Sequence, residues 1–151
     1  MNAEQVELPL RIVLRRPPPG VKFALQKGKA NAAGEADLTP PTHVTSDSMV
    51  FDFPVRVDVS KSEAPRFLGE FVQGPVTGRF VYMNSGRRAG EAGTPWDRRA
   101  KISLAGIGAD LIRAARETAG TLEIEIEGTG TDGGPVCASV KRSSGWRLVA
   151  K

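Results

Sequence analysis

Apolar and polar residues alternate with a period of two along most of this chain, a pattern that predicts strands with one buried face. In the first segment Val6, Leu8, Leu10, Ile12 and Leu14 alternate with Glu7, Pro9, Arg11, Val13 and Arg15. Pro9 has no N–H to give to a ladder, so it predicts a sheet edge or a bulge there. The run RRPPPG (15–20) ends the strand by fixing extended or turn geometry. A second strand is expected at VKFALQ (21–26), with Val21, Phe23 and Leu25 on one face. The strongest alternation sets Met49, Phe51, Phe53, Val55, Val57 and Val59 against Val50, Asp52, Pro54, Arg56 and Asp58. It predicts a long strand, with a bulge or free edge at Pro54.

Residues 27–47 hold no sustained period, and their Gly, Ala, Asn and Pro content predicts a long loop. RFLGEFVQG (66–74) and GRFVYMN (78–84) flank GPVTG and read as a hairpin. After a further short strand at AKISL (100–104) the period changes to 3.6. Ile107, Leu111, Ile112 and Ala115 mark one face of a helix at about 107–119, with Gly120 as its stop signal. Leu122, Ile124 and Ile126 then alternate with Glu123, Glu125 and Glu127. GTGTDGGP turns the chain, Val136, Ala138 and Val140 return along it, and WRLVA closes it. The expectation is a mainly β fold, an antiparallel β-barrel or two-layer β-sandwich of about eight or nine strands with one α-helix. All of 1–151 reads as a single domain, with residues 1–5 as a tail.

Composition narrows the chemistry. A chain of 151 residues with 40% hydrophobic and 25% charged content has the makings of one globular core. No apolar run approaches the roughly 18 residues that span a bilayer, and the N-terminus lacks the pattern of a secretory signal. The expected setting is therefore cytoplasmic, with no membrane partner. Cys137 is the single cysteine and His43 the single histidine, which excludes an internal disulfide and the usual zinc sites. No catalytic residue, metal ligand or cofactor is expected. The net charge of +4 favours anionic partners modestly and also fits an ordinary soluble surface.

The stretch SGRRAGEAGTPWDRRAK (85–101) holds five basic residues, two acidic ones and a tryptophan. Arg87 and Arg88 precede a glycine-rich excursion, and Arg98, Arg99 and Lys101 follow it. Both basic pairs would approach one end of a sheet, where guanidinium forks suit carboxylate or phosphate. Neighbours on a strand face opposite ways, so only one member of each pair can serve a common site. Glu91 and Asp97 favour a structural ion-pair loop instead, with Trp96 as a plug over the core. If the stretch holds an anion, the binding residues are Arg87, Arg88, Arg98 and Arg99, with Trp96 and Tyr82 as walls.

Other candidates read as architecture. GTGTDGGP is followed by a strand and lacks the Gly-Lys-Ser/Thr ending of a phosphate loop. GIGADL opens the helix, where Asp110 competes for the same N–H groups as an anion. Cys137 lies in an alternating strand as an inert thiol, and His43 reads as a surface loop residue that would need an orienting group such as Asp47 to act as a base. Glu123, Glu125 and Glu127 stand about 6.5–7 Å apart on one strand face. That separation suits paired acid/base carboxylates, and a solvated face explains it equally.

The blocks LRIVLRRPPPGVKFALQKGK, FDFPVRV, LGEFVQGPVTGRFVYMNSGRRAG, PWDRRAKISLAGI and GTDGGPVCASVK together resemble a family of small bacterial proteins classified only as a domain of unknown function. The resemblance runs over roughly residues 8 to 148 and implies a complete bacterial protein, with no activity to carry over. The functional expectation is a non-catalytic binding module for a small anionic ligand or a protein partner. The alternative is an enzyme using carboxylate acid/base residues without His, Cys or metal. Nucleic acid is disfavoured because the basic residues are spread along the chain, and a homodimer through a strand edge is left open.

Overall fold

The computed structural model describes residues 4–17, 20–29, 32, 37–59, 65–75, 78–86, 98–129, 139–143 and 145–149. In chain order these form β1 (Glu4–Arg15), β2 (Lys22–Lys27), β3 (Asp37–Thr39), β4 (His43–Val44), β5 (Ser48–Val59), β6 (Arg66–Leu68), β7 (Phe80–Gly86) and β8 (Arg98–Ser103). The helix α1 (Ala109–Thr118) follows, then β9 (Thr121–Thr129), β10 (Ser139–Ser143) and β11 (Arg147–Val149). A seven-stranded sheet has the order β10–β9–β1–β5–β4, with β11 also on β9 and β6 also on β5. A four-stranded sheet has the order β3–β2–β7–β8. The fold is mainly β and sandwich-like, with no closed barrel.

One core joins the two sheets. Leu10, Ile12, Phe51, Val57 and Leu122 enter it from the large sheet, and Leu25, Val81 and Met83 from the small one. Phe51 keeps 1% of its surface exposed, and burying a side chain of that size contributes about 1.5–3 kcal/mol. Leu8, Leu10, Ile12, Leu14, Val21, Phe23, Leu25, Phe51, Phe53, Val55, Val57, Leu122, Ile124 and Ile126, named from the alternation, are buried in this core. Val6, Met49 and Val59 pack against it, and Ile107, Ile112 and Ala115 enter it from α1 and the residues before it.

Pro9 and Pro54 do not bulge their strands. β1 and β5 pair without interruption from Glu4 opposite Val59 to Arg15 opposite Ser48, and Pro9 lies opposite Pro54. Two prolines can face each other only where neither N–H is needed between the strands. Their missing N–H groups would point outward instead, and among the described residues no strand pairs with either proline on its outward side. β9 begins pairing with β1 at Leu10, and β5 meets β4 at Met49 and Val50 but β6 only from Arg56. The free-edge half of the expectation therefore holds locally, although β1 is an interior strand along Leu10–Arg15.

Four other expectations need correcting. The sheet is not wholly antiparallel: β1 and β9 run parallel, a relation that alternation does not encode. Residues 27–47 are not one loop, since β3 pairs with β2 and β4 with β5; strands of three and two residues are too short to show a period. Glu4 and Gln5 are not part of a tail, because they already pair in β1. The hairpin across residues 66–84 is only a local turn. Gln73 and Phe80 exchange backbone hydrogen bonds of 2.7 and 3.0 Å, but β6 joins β5 in the large sheet while β7 joins β2 and β8 in the small one. Residues 69–73 carry the chain between sheets, with Phe71 packed against Phe53 at 5.4 Å between ring centroids.

The helix ends differently from expectation as well. The left-handed residue is Ala119 (φ 52°), and the N–H of Gly120 bonds to the carbonyl of Ala115 at 3.0 Å. Gly120 is needed for a close approach instead: a Cβ there would stand 2.7 Å from Leu148 Cδ1 and 2.9 Å from the Val149 carbonyl oxygen.

Candidate functional site

The basic stretch singled out in the sequence enters the small sheet as β8, whose register with β7 decides which of its residues act together. Lys101 lies opposite Tyr82, Arg99 opposite Asn84, and Arg98 opposite the buried Ser85. Because successive strand positions alternate between faces, Lys101 shares its side of the ladder with Tyr82, its partner in β7. Arg87, Arg88 and Trp96 lie outside the described residues, as do Glu91 and Asp97.

On the outer side of β7, Phe80 and Tyr82 are half-buried and meet edge to face, with ring centroids 4.9 Å apart. The exposed Lys101 places Nζ 4.8 Å from the centre of the Phe80 ring, within cation–π range. Among the described residues Lys101 has no carboxylate partner. The strands β2, β7 and β8 carry Lys22, Lys27, Arg98, Arg99 and Lys101 and no acidic residue. Lys27 reaches Glu70 at 3.3 Å; Lys101 is left with aromatic company alone. Lys101 was read in the sequence as part of the basic stretch but not as a site residue. Its two-residue spacing from Arg99 in a strand was the signal for it.

Backbone polarity along β8 follows from the turn at Gln73. Phe80 directs both its N–H and its carbonyl to Gln73, away from β8. Ser103, opposite Phe80, therefore points its own groups away from β7, and its carbonyl accepts a hydrogen bond from Trp146 Nε1 at 2.9 Å. Alternation then aims the N–H and C=O groups of Lys101 and Arg99 at the side of β8 that has no partner strand among the described residues.

Buried amides brace the opposite end of the small sheet. Gln26 and Gln73, 2% and 8% exposed, both donate from Nε2 to the Gly28 carbonyl, at 3.0 and 2.8 Å. The Gly28 N–H donates to the Glu70 carbonyl at 2.6 Å. These bonds tie the end of β2 to the crossover segment. Nothing in the alternation signals them, since polar residues at such positions read as strand surface.

The large sheet treats its charges in another way. Arg15 reaches Glu125 at 2.6 Å, Arg147 reaches Glu123 at 2.8 Å, and Arg11 bonds to Asp52 at 2.7 Å. Arg16 stands 3.7 Å from Glu127. The row Glu123, Glu125, Glu127 is therefore an ion-pair ladder against β1 and β11, and Glu123 is buried beneath it. The hydrogen bond from Arg15, opposed in part by burial, holds the Glu125 carboxyl below its ordinary value, and the same bond raises Arg15. Arg147 is raised by its hydrogen bond to Glu123. A carboxylate held ionised in this way is a poor proton donor near neutral pH.

The remaining candidates are soon placed. His43 is exposed in β4 opposite Val50, and Asp47 accepts a hydrogen bond from Thr45 Oγ1 at 2.9 Å. Asp110 stands 3.3 Å from Arg113, one turn along α1. Cys137 and the centre of GTGTDGGP lie outside the described residues. Among the described residues no cluster of three or more His, Cys, Asp or Glu could hold a metal ion, and no helix is long and apolar enough to cross a membrane.

No curated protein and no solved structure matches the chain. One family does, over residues 8–149, nearly the span of the resemblance seen in the sequence blocks. The chain belongs to the family of unknown function DUF5990.

Proposed function

We propose that this protein is a binding module for an anionic ligand, either small or carried on a protein partner, and that the β7–β8 side of the small sheet receives it. The observation that carries the reading is Lys101. It is an exposed ammonium beside Phe80 and Tyr82, in a group of three strands with five basic residues and no acid. A cation left without a carboxylate keeps its full attraction for an external anion, and adjoining aromatic surface adds contact area. Arg99, two positions before Lys101 in β8, is the second basic residue this reading assigns to the ligand. Arg87, Arg88 and Trp96 belong to the sequence joining β7 to β8 and are the next residues to include.

A thermal-shift panel of phosphorylated and carboxylated compounds tests this. A ligand at 100 times its Kd adds about 2.7 kcal/mol, or roughly 5–11 °C in a chain of this size. The expected result is a shift for anions that disappears in Arg99→Gln/Lys101→Gln. A shift that survives this double substitution would place the site elsewhere.

A further inference from the structure

Resting on that reading, we infer that the anion is borne by an extended acidic peptide, which adds to the small sheet as a new strand along β8. The first reason is the direction of the backbone groups. The exchange between Phe80 and Gln73, and the bond from Trp146 to the Ser103 carbonyl, fix the phase of the β8 hydrogen bonds. With that phase, Lys101 and Arg99 each present an N–H and a C=O to the side of β8 that has no partner strand among the described residues, about 6.5–7 Å apart. That is the spacing at which an added strand repeats its own donor and acceptor pairs.

The second reason is charge. The two residues that present these backbone groups are both basic, and no strand residue of β2, β7 or β8 is acidic. A second copy of β8 brought to this edge would set basic residues against basic residues, so pairing between identical copies is opposed here. An acidic strand meets the reverse situation. Every second residue of the incoming peptide would lie on the side of the ladder shared by Lys101 and Tyr82. A peptide with Glu or Asp at those alternate positions satisfies both the ladder and the charge.

The third reason is access. Lys101 and Ser103 are exposed, and Ser103 already accepts a side-chain donor from outside the sheet at its carbonyl. The exposure of Lys101 leaves its part of the β8 edge accessible, while Ser103 is already occupied. Trp146 sets the limit of the added strand at Ser103, leaving Lys101 and Arg99 as the docking positions.

The test uses the full chain and a fluorescent peptide of alternating Glu and Val, read by anisotropy. Two versions carry N-methyl groups on alternate backbone amides, one on the Glu residues and one on the Val residues. Strand addition predicts that one methylated version loses at least ten-fold in affinity while the other binds nearly as well as the parent. On the protein, Lys101→Ala and Lys101→Pro both remove the charge, but only the second removes the outward N–H. Proline is tolerated where an edge N–H faces away from the sheet, so Lys101→Pro should fold and bind more weakly than Lys101→Ala.

Equal binding of both methylated peptides would overturn strand addition while leaving the anion-binding reading intact. Equal affinity for a single-stranded oligonucleotide of matched charge would also overturn it, by showing a site that reads charge alone. If small anions shift the melting temperature and no acidic peptide binds, the inference fails and the reading beneath it survives. If neither binds, both fall. Should Lys101→Pro prove unfolded, hydrogen exchange on the wild-type chain decides. Slowed exchange of the Lys101 and Arg99 amides with peptide bound supports the inference, and unchanged exchange overturns it.

Discussion

On the large sheet Arg15 lies 2.6 Å from Glu125 and Arg147 lies 2.8 Å from Glu123, while on the small sheet Lys101 has the Phe80 ring at 4.8 Å. Both regions are outer strand faces rich in basic residues. They differ in whether acids lie across the ladder. β9 supplies three glutamates to Arg15 of β1, Arg16 just after it and Arg147 of β11, so that charge is neutralised within the fold. β7, the neighbour of β8, reads FVYMNSG and supplies none. A basic strand beside an acidic one strengthens a sheet. The same strand beside a neutral one has no acid across the ladder to neutralise it.

The two sheets also share one core, and the largest effect would be to break the comparison by removing it. Phe51→Ala should cost about 3–5 kcal/mol, the usual range for deleting a buried aromatic side chain. The account expects one cooperative urea transition in which both sheets unfold together. Two transitions would show that the sheets are energetically separate.

Gly120→Ala is next in size. Its Cβ would crowd Leu148 and the Val149 carbonyl, displacing β11 at a cost of about 1–3 kcal/mol. Because β11 carries Arg147, the shift should also loosen the bond to Glu123 without touching anion binding at β8. Loss of binding in this variant would mean that the two regions are coupled.

Arg15→Gln sharpens the comparison through pH. The Glu125 carboxyl titrates below its ordinary value when folded, so its pair adds stability that is complete above the unfolded carboxylate pKa of about 4.3. That stability is lost as pH falls through the lower folded value. Arg15→Gln should therefore lower the urea midpoint at pH 7 and leave it closer to wild type at acid pH. An equal drop at both pH values would show that Arg15 acts through packing and not through this pair.

How much of this was readable beforehand depended on whether a residue's role followed from its own strand. The core of β1, β5 and β9 was legible because alternation marks a buried face whatever the partner. The parallel pairing of β1 with β9 was not, because period two is the same in either direction. The hairpin at residues 66–84 misled because a true local turn joins segments that belong to different sheets. At the site, the strand that carries Lys101 was legible from the short apolar alternation at residues 100–104. The importance of Lys101 was not, since it depends on the neighbouring strand lacking acids. The glutamate row, read as catalytic pair or solvated surface, became an ion-pair ladder only once β1 and β11 were laid beside it.

The central claim is that charge on the large sheet serves the fold and charge on the small sheet serves a ligand. The most direct measurement compares Arg15→Gln with Lys101→Gln, taking the urea midpoint and the affinity for the Glu/Val peptide on each. The account predicts that Arg15→Gln lowers the midpoint and keeps the affinity. Lys101→Gln should hold stability within about 0.5 kcal/mol of wild type and lose the affinity. The opposite pattern, or variants that lose stability and binding together, would contradict it.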